Sequence, residues 1–312
     1  MIRLKMLLFS LTFTVISCKK ADVSPPPIPI SAYGEEYQKG ANDETVRLEY
    51  NRLLDLVSVA YELDYIKSKK IDTTITTFPC GISSVDSNGS GLDLVFAGEC
   101  NSRILTGKAS IESLNTIDWN QRSATIKINI QDYIIKFTSN NKEITLNGQF
   151  TLASSNGGLI SEIIPNSGGL AHEIRGNIDI TFDNDSTRTW RITQKRYYRS
   201  AGSRWEDIQL RIDGDSGYSI TETGKNKMGY DFVSNYNTPL VFYSCNSNQN
   251  WIPEFTLATG QYSYNVGTTS VNVQAGYSGE ENGYTLVENC NSKRLKIDWY
   301  FNNGSKVEYL EY

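Results

Sequence analysis

Histidine is almost missing from this 312-residue chain: His172, in Gly169-Leu170-Ala171-His172-Glu173, is the only one. A metal site built from several histidines is therefore excluded. A Ser-His-Asp or Cys-His device would have to run through that one ring, and no G-x-S-x-G elbow accompanies it. His172 reads as an ordinary strand-edge residue. No C-x-x-C pair is present, which argues against a zinc site among the five cysteines. Phosphate-binding and dinucleotide glycine loops are absent too. Asp213-Gly214-Asp215-Ser216-Gly217 and Asp183-Asn184-Asp185-Ser186 look like pieces of calcium loops, but both lack the glutamate and the glycine register of an EF-hand. Turn chemistry accounts for them. Nothing in the sequence calls for a cofactor or a metal ion.

Basic charge is also short. The formal net charge is −5, which argues against a general nucleic-acid binder, since that needs a basic footprint. Methionine is scarce, whereas tyrosine, glycine and asparagine are abundant. That is the composition of a turn-rich β protein rather than a helical bundle.

Long hydrophobic runs are lacking as well. Met6 to Ile16 is nearly all apolar but too short to span a bilayer. It follows Arg3 and Lys5 and leads into Val15-Ile16-Ser17-Cys18. A basic start, a short apolar run and small residues before a cleavage point make residues 1–17 a signal peptide. Cys18, just beyond it, resembles the lipobox cysteine of bacterial lipoproteins, which is acylated (a palmitate-type modification) and becomes the new N-terminus. Loss of Arg3 and Lys5 would take the formal charge from −5 to −7. Residues 18–40 then form a tether, stiffened by Ser24-Pro25-Pro26-Pro27-Ile28-Pro29. The expected location is the cell envelope, at the outer membrane's periplasmic face or the cell surface, held by lipid.

The other four cysteines form an even set in an oxidising compartment. Asn88-Gly89-Ser90-Gly91 lies midway between Cys80 and Cys100. A hairpin turning there brings those sulfurs together, so the pairs expected are Cys80–Cys100 and Cys245–Cys290.

Residues 41–312 read as one β-rich domain. A helix is predicted over 43–67, with Asp43 and Glu44 at the positive end of its dipole and Val46, Tyr50, Leu53, Leu54, Val57, Ala60 and Tyr61 as an apolar stripe. Such a stripe packs on the protein's own sheet or serves a partner. From Ile71 onward the period becomes two. Ala124, Ile126, Ile128 and Ile130 alternate with polar residues, and so do Ile174, Ile178, Ile180 and Phe182, and then Leu295, Ile297, Trp299 and Phe301. These are antiparallel strands with one dry face. The fold predicted is mainly β, a large antiparallel meander curled into a sandwich or barrel-like sheet with one N-terminal amphipathic helix. Cys100-Asn101-Ser102-Arg103-Ile104-Leu105 is close to Cys290-Asn291-Ser292-Lys293-Arg294-Leu295, which suggests an internal duplication of 80–111 in 245–301.

Taken in order, several features resemble a family of uncharacterised lipoproteins of the Bacteroidota type. They are the lipobox, the helix, Gly98-Glu99-Cys100, Asn177-Ile178-Asp179-Ile180-Thr181-Phe182 leading to Thr187-Arg188-Thr189-Trp190, Thr238-Pro239-Leu240 leading to Cys245, and the closing Cys290 strands. The resemblance implies a β-rich envelope protein and no particular chemistry. The segment between Cys245 and Cys290 is long for that pattern.

The most unusual stretch is Arg188 to Arg204, with six cations, no acid, and interleaved aromatic rings. Trp190, Arg191, Arg196 and Tyr198 are its candidate ligand-binding residues, suited to an anionic sugar or a phosphate. The plainer reading is a strand pair whose wet face meets acids such as Asp179 and Asp207. The expected role is non-catalytic: binding, adhesion or envelope architecture, with the membrane as one partner and a glycan or envelope protein as the other. The alternatives are a polysaccharide hydrolase with paired carboxylates and an accessory partner of an envelope transporter. The sequence does not set the oligomeric state.

Overall fold

The computed structural model describes residues 43–69, 78–87, 91–100, 102–163, 169–183, 185–200, 207–213, 220–244, 255–266, 269–279, 283–301 and 304–311. Cys18, the signal peptide, the tether and Cys245 lie outside the described residues, and with Cys245 so does the expected Cys245–Cys290 pair.

Helix α1, Asp43–Ser68, starts where the sequence places it and ends one residue later. Fifteen strands follow: β1 Ile82–Ser87, β2 Gly91–Cys100, β3 Arg103–Ser113, β4 Thr125–Phe137, β5 Glu143–Ser154, β6 Gly169–Thr181, β7 Thr187–Ser200, β8 Ile208–Asp213, β9 Ile220–Lys225, β10 Asp231–Ser244, β11 Phe255–Val266, β12 Thr269–Ser278, β13 Thr285–Leu286, β14 Arg294–Phe301 and β15 Gly304–Glu311. They form one antiparallel sheet, mostly a meander of sequential neighbours. Cys80 and Cys100 are bonded at the open end of the β1–β2 hairpin, with Cα atoms 5.6 Å apart.

The predicted alternation decides which face is dry. Ile126, Ile128 and Ile130 of β4 are buried, as are Ile174, Ile178 and Ile180 of β6. In β4 the phase slips between Ile130 and Tyr133, where the left-handed residue Asp132 (φ 47°) makes a bulge. Tyr133 and Ile135 thereby return to the dry side.

The helix departs from the one-stripe reading. Its buried residues include Glu44, Arg47, Glu49, Asn51, Ser58 and Glu62 besides the apolar set. The sheet has curled around it. Glu49 pairs with Arg103 of β3, Asp55 with Arg196 of β7, Arg47 with Glu222 of β9, and Glu44 meets Tyr264 of β11. A helix touched from that many strands has little wet surface left.

One fork interrupts the meander. β8 and β9 lie end to end between β7 and β10. β9 pairs with Trp190–Ile192 and with Asp231–Asn235, while β8 pairs with Lys195–Ser200 and with Leu240–Tyr243. At the junction β10 carries register shifts around Thr238, and Pro239, which has no N–H to donate, sits there. Gly260 (φ +138°) packs against this bulge. A Cβ on it would come within 2.7 Å of the Leu240 Cα. The edge strand β15 turns Lys306 and Glu308 toward the inner side, opposite Trp299 and Ile297, a charge placement that discourages edge-to-edge pairing.

The two similar cysteine motifs sit in different pairings. Cys100 and Arg103 flank the corner between neighbours β2 and β3. The segment after Cys290 leads into β14, which pairs with β12 and β15.

Candidate functional site

The arginine-rich stretch is strand β7, and its alternation splits the four candidate residues. Trp190, Arg196 and Tyr198 face the interior and are buried, whereas Arg191 faces solvent. They do not form one surface site. The plainer reading holds only for part of the outer side: Thr189 donates to Asp179 and Lys195 pairs with Glu173. Arg196, the cation expected outside, is instead committed to the helix. It pairs with Asp55 and donates to the Asn51 Oδ1 at 2.8 Å.

Arg196 belongs to a buried polar spine that the sequence does not reveal. Arg47 Nε donates to Glu222 Oε2 at 3.1 Å, and its Nη1 lies 3.5 Å from Glu44 Oε1. Tyr50 and Tyr236 also donate to Glu222, and Tyr264 donates to Glu44. Arg47 Nη2 has no hydrogen-bond acceptor among the described residues. Its guanidinium lies instead over aromatic rings, 4.5 Å from the Tyr262 centroid and 5.4 Å from that of Tyr264. Burial pushes the Glu44 carboxyl up to about 7 against the pull of Arg47, and burial raises Asp55 to about 6 against Arg196.

His172 stands beside this spine. It is 1 % exposed, and neither ring nitrogen has a hydrogen-bond partner among the described residues. Its ring packs between Trp119 and Tyr198 at centroid distances of 5.1 and 5.4 Å. Burial, reinforced by Arg196, lowers its pKa to about 3. It is a neutral ring on the inner face of β6, not a residue at a solvated strand edge, and a proton shuttle needs an accessible titration.

The open site lies on the outer face. A trough of about 380 Å³ crosses β7, β8, β10, β11 and β12. Arg199, Gln209, Arg211, Gln261, Gln274 and Glu288 line it, and the Pro239–Gly260 bulge is part of its wall. Arg199 Nε and Nη2 both donate to Gln209 Oε1, at 3.1 and 3.0 Å, which fixes the guanidinium plane. Arg211 pairs with Asp213 at 3.1 Å, and Glu288 accepts from Thr259 at 2.7 Å.

A tyrosine cluster adjoins the trough. Tyr277 donates to Gln274 of the lining. Tyr284 and Tyr309 stack at 3.9 Å, Tyr277 meets Tyr309 edge-on at 5.6 Å, and Arg294 lies over Tyr284. Of all these residues only Arg199 falls in the stretch that the sequence marked. The trough gathers residues from five strands around a bulge, and no local pattern announces that.

Among the described residues there is no cluster of metal-ligating side chains, and no helix is long and apolar enough to cross a membrane. No protein-family model matches the chain, and no curated protein or solved structure is significantly similar to it.

Proposed function

We propose that this protein is a lipid-anchored component of the cell envelope that binds a ligand on the outer face of its sheet without transforming it. The trough carries the proposal. It is open, it presents two guanidiniums against one carboxylate, and Gln209 holds one of those guanidiniums in place. Preset donors of this kind favour recognition of a polar, electron-rich ligand. A hydrolase would need two facing carboxylates within reach of a polymer. Glu44 and Glu222, which converge on Arg47, are fully buried, and that favours binding over hydrolysis.

The anchor rests on Cys18 and its flanks, and the Cys80–Cys100 bond is in keeping with an oxidising compartment. The same features keep the resemblance to Bacteroidota-type lipoproteins as part of the proposal. In detergent phase separation, the wild-type chain should enter the detergent phase and Cys18→Ala the aqueous phase. Equal partition of the two overturns the anchor. The full chain, immobilised and exposed to an envelope extract, should retain a defined ligand. Retention of nothing, in low and physiological salt alike, overturns binding.

A further inference from the structure

We infer that the trough and the adjoining tyrosine cluster form one binding site for an acidic saccharide, a uronic-acid oligomer, which rests on the binding role proposed above.

The site is built in two parts that share Gln274. At the arginine end, the register places Arg199 opposite Gln209 and Arg211 opposite Tyr197 on the outer side of β7 and β8. Arg199 has its Nε and Nη2 on Gln209 Oε1. Its Nη1 and the Gln209 amide NH2 remain to act as donors, in the planar fork that matches a carboxylate. Among the described residues it is held by a neutral amide rather than by a carboxylate, unlike Arg211, Lys296 and Arg294. In a chain of net charge −5, a guanidinium without a carboxylate partner among the described residues, in the lining of a trough that presents two guanidiniums to one carboxylate, favours an anionic ligand locally.

In the middle, Gln261 and Gln274 face each other across β11 and β12, offering amide donors and acceptors to hydroxyl groups. Beyond them Gln274 stands opposite Lys296, and Lys296 opposite Tyr309. There Tyr277, Tyr284 and Tyr309 are only half-buried. Aromatic faces suit the C–H face of a sugar ring, and each ring keeps a polar hydroxyl at its tip. From β7 to β12 the trough crosses four inter-strand gaps, about 19 Å at the usual strand spacing, and the tyrosine cluster carries the site two gaps further, to β15, a span suited to a short oligosaccharide.

An acidic peptide is disfavoured by position. Extended peptides gain affinity by adding to an open sheet edge, whereas the trough with its arginine lies across paired interior strands, and of the tyrosine cluster Tyr309 alone sits on the edge strand β15.

The test uses the full chain in detergent, titrated by calorimetry with an oligogalacturonate, with a neutral oligoglucan of equal length, and with oligoglutamate. Oligogalacturonate should bind at least tenfold more tightly than either of the others. Arg199→Gln, which keeps an amide but removes the charge, should weaken the uronate about tenfold and leave the neutral glycan unchanged. Tyr284→Ala should weaken both glycans. Thermal unfolding of each variant close to that of wild type shows that the sheet is intact. Equal affinity for uronate and neutral glycan, oligoglutamate binding as tightly as uronate, or unchanged uronate binding in both variants overturns the saccharide site. No binding of any of the three also overturns it. The envelope-extract capture then separates the cases: a retained ligand leaves the binding role standing, and none removes both.

Discussion

Replacing Arg47 with Met tests whether the buried spine holds helix and sheet together. Arg47 is 1 % exposed and bridges Glu222 of β9 and Glu44 of its own helix under three aromatic rings. Methionine fills much of the volume but leaves Glu222 facing Tyr50 and Tyr236 with no counter-charge. Glu44 is relieved more easily, because burial already holds its carboxyl near 7. Stranding one member of a buried ion pair costs about 3–5 kcal/mol. At roughly 2–4 °C per kcal/mol for a domain of this size, the melting temperature should fall by about 6–20 °C. Glu222→Gln alone strands Arg47 less severely, since Glu44 stays beside it. The double variant Arg47→Met/Glu222→Gln removes both charges of the pair and should cost at least about 1 kcal/mol less than the two single losses added together, as coupled neighbours do. The assay is urea and thermal unfolding followed by near-ultraviolet circular dichroism and tryptophan fluorescence; Trp190 packs edge-on against Tyr50. Should Arg47→Met unfold outright, Arg47→Lys, which keeps the charge but loses the fork, supplies the milder step. A loss below about 1 kcal/mol for Arg47→Met, or strict additivity in the cycle, would refute the reasoning. The apolar stripe alone would then hold the helix.

Two other perturbations follow from the same structure. Cys80→Ser with Cys100→Ser opens a link spanning 20 residues, and should cost about 3 kcal/mol in urea unfolding; no difference between this variant and the oxidised wild type would deny the bond a stabilising role. Glu44 is raised from 4.5 to about 7, so the native state holds its proton longer and the stability it contributes is lost as pH rises from about 4.5 through 7. His172 is lowered from 6.5 to about 3, so the native state takes up its proton later and stability is lost as pH falls below about 6.5. The two slopes oppose each other between about pH 4.5 and 6.5. Relative to wild type, Glu44→Gln should tilt the melting temperature upward with pH in that window, and His172→Phe downward. Parallel pH profiles for all three proteins would show that neither group titrates as its burial requires.

Much of the fold was legible because its causes are local. A period of two places Ile126, Ile128 and Ile130 on one face whatever lies across from them, and a cysteine at each end of a short strand–turn–strand segment predicts the β1–β2 hairpin. The helix bounds follow from Asp43 and Glu44 at one end and Lys67 at the other. The buried spine has no such local cause. Glu44, Arg47, Asn51 and Asp55 recur every three or four residues, which on most helices marks the wet face. Here the face is dry, because partners up to 220 residues away close over it: Glu222 meets Arg47, Arg196 meets Asp55 and Tyr264 meets Glu44. The abundance of tyrosine takes on a meaning that composition alone did not carry. Tyr50, Tyr236 and Tyr264 turn hydroxyls onto buried carboxylates, adding donors to those that Arg47 supplies. The arginine-rich strand shows the limit of reading composition without direction. Alternation sends Arg196 inward to hold the helix and Arg199 outward into the trough. One run of cations thus divides between stability and recognition, and only the pleat of β7 decides which residue does which.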